Sequence, residues 1–337
     1  MVDLSTNYMG LKLKNPIILG ASNLVNKPEV IKQMEEAGIA AVVYKSLFEE
    51  QIQLEALQLD EELHEYEERN AEMTSLFPDM VHAGPREHLF NVKTLKKNTT
   101  VPVIASLNAI YETTWVEYAK ELEQTGVDAL ELNLYATPGY FEVAGKGIED
   151  KQVQIVTAVK KAVQIPVSVK LSPFYTNTLN FIKKLDEAGV DGYVLFNRFF
   201  QPDIDTENEL FHYPWDLSQE KDHQLTLRYA GLLFGNIDAG ICASRGISNA
   251  QDVVKMLLAG ADVVQVVSAI YRNQPAFVTD MLNELSKWMD KKGYRSLGDF
   301  RGKLSRKNLK DPFSYQRAQY VDILMKSEEV FKKYPMV

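Results

Sequence analysis

Cysteine is almost missing from this 337-residue chain. Cys242 stands alone, which excludes a disulfide framework and any iron–sulfur or zinc site built from several of the chain's own cysteines. No run approaches about 18 consecutive apolar residues, so no bilayer-spanning helix is expected. The start, MVDLSTNYMGLKLKNP, lacks the basic segment and apolar core of a signal peptide. Positive charge is also short. Lys plus Arg number 37 against 46 Asp plus Glu, a net charge of −9, which is not the footprint of a nucleic-acid or membrane-surface binder. These absences predict a cytoplasmic protein that takes a small-molecule substrate, with no nucleic-acid or membrane partner. What is present is ordinary globular composition, 45% apolar and 25% charged. A chain of this size buries about three quarters of its unfolded surface, so no metal or disulfide is needed for folding.

One phrase recurs: EEAGIAAVVYKS at 35–46, EQTGVDALELNL at 123–134, DEAGVDGYVLFN at 186–197 and LLAGADVVQVVS at 257–268. In each, a helical pattern stops at Gly38, Gly126, Gly189 or Gly260 and a β-rich apolar run follows. Glycine just past a helix adopts the left-handed conformation that closes it, so each phrase reads as helix, cap, strand. The glycines lie 88, 63 and 71 residues apart, and a βα unit takes about 30 residues or more, so each gap has room for one further strand. VPVIASL at 101–107, IPVSVKL at 165–171 and DAGICAS at 238–244 fill those gaps, and NPIILGAS at 15–22 precedes them all. Eight nearly continuous apolar strands alternating with helices predict a (β/α)₈ TIM barrel, with a doubly wound sheet as the less economical count.

Helix starts are expected at Pro28, at a Thr114/Glu117 capping box and at a Ser248/Gln251 capping box. Two connections exceed plain loops, 47–88 after the second strand and 198–222 after the sixth, both on the strand ends where barrels carry their sites. Residues 49–72 hold ten acidic residues and one Arg, which reads as a solvated acidic helix. The expected organisation is a barrel over 1–304 and a helical extension over 305–337, opened by Asp311-Pro312 and centred on Val321, Leu324 and Met325. That extension would pack on the barrel or on a second copy.

The carboxyl ends of the strands supply candidate site residues. They are Ala21, Ser22 and Asn23 at the first, Lys45 and Ser46 at the second, Ser106 and Asn108 at the third, and Asn133 at the fourth. Lys170 and Ser172 follow at the fifth, Asn197 at the sixth, Ser244, Arg245 and Gly246 at the seventh, and Val267 and Ser268 at the eighth. Lysines and asparagines at the ends of apolar strands each cost several kcal/mol if buried without a partner, which favours a binding role. Planar amides suit a heterocycle edged with carbonyl and N–H groups, and a lysine suits an anion. The last two loops each open a helix where barrels commonly hold phosphate. The lone Cys242, inside the seventh strand, reads as a small apolar core residue.

On these residues the chain resembles the class 1 dihydroorotate dehydrogenases. The likeness lies in NPIILGAS, YKS, ELNL, IPVSVKLSP, the Asn after the sixth strand, LLAGADVVQVVSA and KKGYRSLGDFRGKL at 291–304. It spans about 8–304. The resemblance implies FMN across the barrel mouth, with Ala21, Ser22, Lys45 and Ser46 along the flavin and Lys170 beside its pyrimidine side. Asn133 and Asn197 would hold flavin or substrate edges, and Ser244, Arg245, Gly246, Val267 and Ser268 the phosphate. It also implies oxidation of a CH–CH bond next to a carbonyl, in dihydroorotate or a related dihydropyrimidine, with Lys45, Asp79, Asn108, Asn133 and Asn197 on the substrate. A homodimer is implied as well, and no metal.

Some positions depart from the family's pattern. Its fourth-strand loop carries a cysteine as base, whereas this chain reads Asn133-Leu134-Tyr135-Ala136-Thr137-Pro138, with alanine at that position. Alanine takes no proton, which leaves Thr137 and Tyr135 as nearest replacements, with Lys45 also in reach. Pro78-Asp79-Met80-Val81 replaces a further substrate segment, and Arg245-Gly246 replaces a glycine pair. His82, His88 and Asp79 in the first long connection could move protons, and His212, Tyr213 and Trp215 in the second could cover a flat ligand. Two other readings stay open: a flavin-binding protein without turnover, and an aldolase-like barrel with Lys170 or Lys45 as Schiff-base nucleophile.

Overall fold

A computed structural model describes residues 2–50, 52, 85–134, 136, 141–198, 201–214, 216–326 and 328–335. The chain opens with a small antiparallel hairpin, β1 (Thr6–Tyr8) and β2 (Leu11–Leu13). Eight parallel strands follow: β3 (Ile17–Leu19), β4 (Val42–Phe48), β5 (Val103–Asn108), β6 (Ala129–Leu134), β7 (Val167–Leu171), β8 (Gly192–Leu195), β11 (Gly240–Ala243) and β12 (Val263–Val266). They close on themselves, β12 pairing with β3 and β11 with β8, into the expected (β/α)₈ barrel. A second hairpin, β9 (Asp203–Asp205) with β10 (Leu210–His212), stands in the connection after β8. Among the described residues, no helix is long and apolar enough to cross a membrane.

The helices are α1 (Pro28–Glu36), α2 (Arg86–Asn98), α3 (Glu112–Gln124), α4 (Gly145–Ala162), α5 (Thr178–Glu187), α6 (Gln224–Leu233) and α7 (Ala250–Ala259). Then come α8 (Ser268–Asn273), α9 (Phe277–Lys292), α10 (Arg317–Met325) and α11 (Glu328–Lys333). Gly38, Gly126, Gly189 and Gly260 all take positive φ just past a helix, as the recurring phrase requires. The phrase holds a second device. Asp128 and Asp191, each two residues after its glycine, accept the backbone N–H of Val103 and Val167 on the preceding strand and pair with Lys96 and Lys160. Asp262 repeats this with Ile241 N–H and Arg301. One carboxylate thus ties each strand start to its neighbour and to a basic side chain.

Two helix starts differ from expectation. Glu49, not a Thr114/Glu117 box, satisfies the head of α3: its carboxylate accepts from Ile110 N at 2.6 Å and from Thr114 Oγ1 at 3.1 Å. Helix α7 begins one residue later than Ser248, with Asn249 as cap accepting from Asp252 N at 3.0 Å. A buried carboxylate just past β4 and a better capping amide outcompete the local Ser/Thr signals. In the tail, Tyr315 packs over Gly231 of α6 and donates to Leu304 O at 2.6 Å, but Val321, Leu324 and Met325 on α10 are exposed.

Strand alternation makes two cores. Outward residues such as Leu107, Leu132, Val169 and Leu195 pack under the helices. Inward residues Ile18, Val43, Ile104, Ala129, Val194, Cys242 and Val263 fill the lower barrel. Tyr8 plugs the bottom, its ring in a notch left by Gly192 and Gly240, where a Cβ would lie 2.8 Å from its Oη or Cδ2. The phrase at 291–304 serves the same end. Tyr294 and Phe300 stack with Trp288, and Asp3 N donates to Arg295 O, fastening the N-terminal segment. Above the apolar layer the inward positions turn polar: Ser106, Glu131, Ser168, Lys170 and Gln265.

Candidate active site

Lys170 and Gln265 of the polar layer floor a cavity of about 720 Å³ at the carboxyl ends of the barrel strands, within the size range of small-molecule and cofactor pockets. Ala21 and Ser22 enter it after β3, Lys45 and Ser46 from β4, Asn133 from β6 and Lys170 from β7. Asn197 follows β8, Ser244, Arg245 and Gly246 follow β11, and Val267 and Ser268 follow β12. All twelve residues expected at a cofactor therefore line one cavity. Asn108 does not line it. Its amide donates to Asn133 O at 2.8 Å, so it braces the neighbouring strand end instead. Asp79, Tyr135 and Thr137, with His82 and Trp215, lie outside the described residues. Ala136 is exposed. His212 and Tyr213 stand exposed on or beside the β9–β10 hairpin, away from the cavity lining.

The cavity is cationic in an acidic chain. Among the described residues, Lys45, Lys170, Arg198 and Arg245 line it against one carboxylate, Asp216. Arg198 lies 3.8 Å from Asp222, just outside the lining. Burial pulls the Arg245 guanidinium below its ordinary value, with Asp222 opposing and Arg198 adding like charge. Its Nε is buried with no hydrogen-bond partner, as is Ser22 Oγ. Buried donors in native proteins are nearly always satisfied, so two such groups, unpartnered among the described residues and carried by residues that line one cavity, point to a ligand that completes them.

The turn after β11 is braced from behind. Arg245 takes φ 73° and Gly246 φ 62°, successive left-handed residues of which only the second is glycine. A Cβ on Gly246 would meet His223 N at 2.7 Å, so the end of the second insertion packs directly on the turn. His223 Nδ1 bonds Gly246 O at 3.1 Å, and Nε2 lies 3.7 Å from Asp252 Oδ1. Thr226 Oγ1 reaches both Leu195 O and Ser244 O at 3.1 Å. Across the cavity, Ser218 N donates to Ser268 Oγ at 3.0 Å, joining the insertion to the last barrel loop.

The opposite side carries the amides. Asn197 Nδ2 donates to Asn133 Oδ1 at 2.8 Å. That bond uses one donor and one acceptor, which directs the remaining amide donor of Asn133 and acceptor of Asn197 to a ligand edge. Beneath them, Lys170 Nζ lies 3.3 Å from Gln265 Oε1 and 3.6 Å from Glu131 Oε1, and Gln265 Nε2 donates to Glu131 Oε2 at 2.6 Å. Ser46 and Ser106 share a hydrogen bond at 2.7 Å. Phe48, Phe196, Leu217 and Tyr271 give the cavity its apolar share. The donor set therefore fits a flat heterocycle bearing a phosphate: amides for ring edges, a lysine at the floor, and a guanidinium with backbone N–H groups at one end.

Sequence reasoning passed over Arg198, Asp216, Gln265 and Glu131. Glu131 and Gln265 were readable, since they sit two residues from Asn133 and Val267 on strands with a period of two and so share the inward face. Asp216 comes from an irregular insertion and left no such signal.

Comparison with known proteins gives one family. The profile described as dihydroorotate dehydrogenase matches residues 77–289. The chain is similar to the catalytic subunit of dihydroorotate dehydrogenase B (NAD(+)) of Thermoplasma volcanium, at 28% identity over 319 residues, covering 90% of this chain and 98% of the relative. It is similar to the putative dihydroorotate dehydrogenase A (fumarate) of Aeropyrum pernix, at 28% over 308 residues, covering 89% and 97%. Dihydroorotate dehydrogenase A (fumarate) of Lactobacillus helveticus shares 30% over 209 residues, covering 60% of this chain and 68% of its own.

Proposed function

The chain belongs to the dihydroorotate dehydrogenase family, and from that premise we propose that it is an FMN-dependent oxidoreductase acting on a CH–CH bond next to a carbonyl. Its substrate in this reading is dihydroorotate or a related anionic dihydropyrimidine. The observation that carries the reading is that, among the described residues, four cations line the cavity against one lining carboxylate, with Glu131 and Asp222 behind two of the four, in a chain of net charge −9. Such a surplus at one mouth suits a ligand set with several negative charges. Bound FMN would supply the two-electron acceptor.

The chain's own residues then divide the work. Arg245, Gly246, Ser244, Val267 and Ser268 hold the phosphate, the guanidinium by charge and the turn by its N–H groups. Ala21, Ser22 and Ser46 line the ring system, and Lys170 holds positive charge where electron density builds. Lys45, with the amide pair of Asn133 and Asn197, orients the substrate and its carboxylate. Asn108 positions Asn133 from behind. The proton of the substrate passes to Tyr135 or Thr137, since Ala136 offers no acceptor.

The reading also carries a homodimer and a cytosolic location. An aldolase reading is weaker, because Lys170 is engaged with Glu131 and Gln265 rather than presented alone. A second reading, a flavin carrier without turnover, rests on the alanine at the family's base position.

One experiment separates them. Purified protein, loaded with FMN, is mixed anaerobically with dihydroorotate while visible absorbance is followed. The enzyme reading expects bleaching. Protein that stays colourless after incubation with FMN refutes the flavin assignment, and yellow protein left unbleached by every dihydropyrimidine offered favours the carrier.

A further inference from the structure

Two charges stand in the interior of the barrel, and only one of them faces the cavity. Glu131 is buried to 1% exposure one layer below the floor, whereas the Lys170 side chain, 12% exposed, reaches the lining. The other titratable groups packed against Glu131 from below are the Tyr8 phenol and the Cys242 thiol. Burial pushes both well above their ordinary values, so they stay neutral. Among the described residues, Glu131 is the one carboxylate on the inward face of the barrel strands; one of its oxygens is hydrogen-bonded and the other is buried without a hydrogen-bond partner, with Lys170 as its nearest cation. Oε2 accepts from Gln265 Nε2 at 2.6 Å and Oε1 lies 3.6 Å from Lys170 Nζ, while Gln265 Oε1 accepts from Lys170 at 3.3 Å. The side chains of Glu131 and Lys170 come from the neighbouring strands β6 and β7 and that of Gln265 from β12 across the barrel, so nothing local in the chain brings the three together.

A buried ion pair costs desolvation on both partners and is weak evidence of stabilisation, so its place under the cavity calls for another account. We infer that Glu131 is a positioning residue that tethers the Lys170 ammonium downward through Gln265 and partly neutralises it, and so lowers the reduction potential of the bound flavin. The inference rests on the FMN reading above and deepens it. Lys170 alone would favour the reduced, more negative form of the flavin. The carboxylate beneath it opposes that preference and keeps the reduced form a better donor to the electron acceptor. No proton or electron moves through Glu131. It acts by charge and by where it holds the lysine.

The test is the potential of the FMN-loaded protein, measured by anaerobic titration against reference dyes. In the interior, at an effective dielectric of about 20, removing this unit charge is expected to raise the equilibrium constant for two-electron reduction about tenfold, a shift of about 30 mV. Glu131→Gln keeps volume and hydrogen bonding and should show that rise. Glu131→Met, similar in length, leaves Gln265 Nε2 without its acceptor but removes the same charge, so it should move the same way and serves if the first variant fails to fold. Glu131→Asp, which keeps the charge, should stay within about threefold of the parent. In a Lys170→Gln background the direct charge effect of Glu131→Gln should persist with the same sign, and a smaller shift there than in the parent background measures the part carried by the tethered lysine; a shift of opposite sign there overturns the inference. Folded, FMN-bound variants whose constant stays within about twofold of the parent, or falls, overturn this inference alone. A parent protein that takes up no FMN overturns it together with the proposed function.

Discussion

Replacing Arg245 by glycine separates two effects that the parent side chain combines. At φ 73° the residue occupies the left-handed region, which costs a residue with a Cβ about 1–2 kcal/mol. Glycine removes that cost while giving the unfolded chain extra freedom worth about 0.5–1 kcal/mol. The balance predicts an R245G apoprotein about 0.5–1 kcal/mol more stable than the parent, a rise of about 2 °C in thermal midpoint at this size. FMN affinity should move the other way. A charged hydrogen bond to phosphate contributes about 1.5–3 kcal/mol, so the variant should bind FMN about 10- to 150-fold more weakly. R245A isolates the terms: it keeps the strained Cβ and loses the guanidinium, so affinity falls as far and stability does not rise. Circular dichroism melts of apoprotein and quenching of FMN fluorescence read the two quantities. If R245G binds FMN as tightly as the parent, the guanidinium does not serve the phosphate. If it melts no higher than R245A, the strain argument is wrong.

Other outcomes follow from named groups. Installing cysteine at position 136 (A136C) should raise the rate of flavin bleaching by dihydroorotate by about 100-fold or more, the usual worth of a placed general base. No gain would mean that the substrate pocket differs by more than its base. His88 gives a pH signature. Burial, with Lys45 adding, lowers its imidazole to about 4, and the ring stacks edge-on with Tyr44 at 5.1 Å. The unfolded chain keeps the ordinary value near 6.5, so below neutrality it takes up a proton that the native protein declines. This contribution is intact above pH about 6.5 and erodes as pH falls toward 4, by about 2 kcal/mol at pH 5. H88F should escape that loss. Urea midpoints of both proteins at pH 7.5 and pH 5 check it, and parallel declines would refute the assignment.

The barrel was legible because its signal is redundant. Four copies of one phrase marked helix ends and strand starts, and apolar runs in the gaps supplied the remaining strands. The cavity lining was legible for a related reason: in a parallel barrel, a polar residue at the carboxyl end of an apolar strand has one place to go. Asn108 shows the limit of that rule. It ends its strand as Asn133 does, yet its amide turns sideways to the Asn133 carbonyl, a choice made by a neighbouring strand. The Glu49 cap on α3 was illegible for the same reason, since its partners lie 61–65 residues away. The aspartates after Gly126, Gly189 and Gly260 were visible in the repeat itself, but their role depends on the open N–H of the adjacent strand. Spacing within one strand gives period and face. It does not give what the next strand leaves unsatisfied.

The tyrosine seated between Gly192 and Gly240 has a consequence for everything above it. With that aromatic stopper in its two-glycine socket, the bottom of the barrel is closed by a side chain among the described residues. The mouth is then the route by which water and protons are expected to reach the Glu131–Lys170 pair, past whatever molecule fills it. Exchange at the floor then runs on the timetable of ligand release. A chain clipped after residue 10 would lose the stopper, admit solvent from below, and level the field that the barrel maintains.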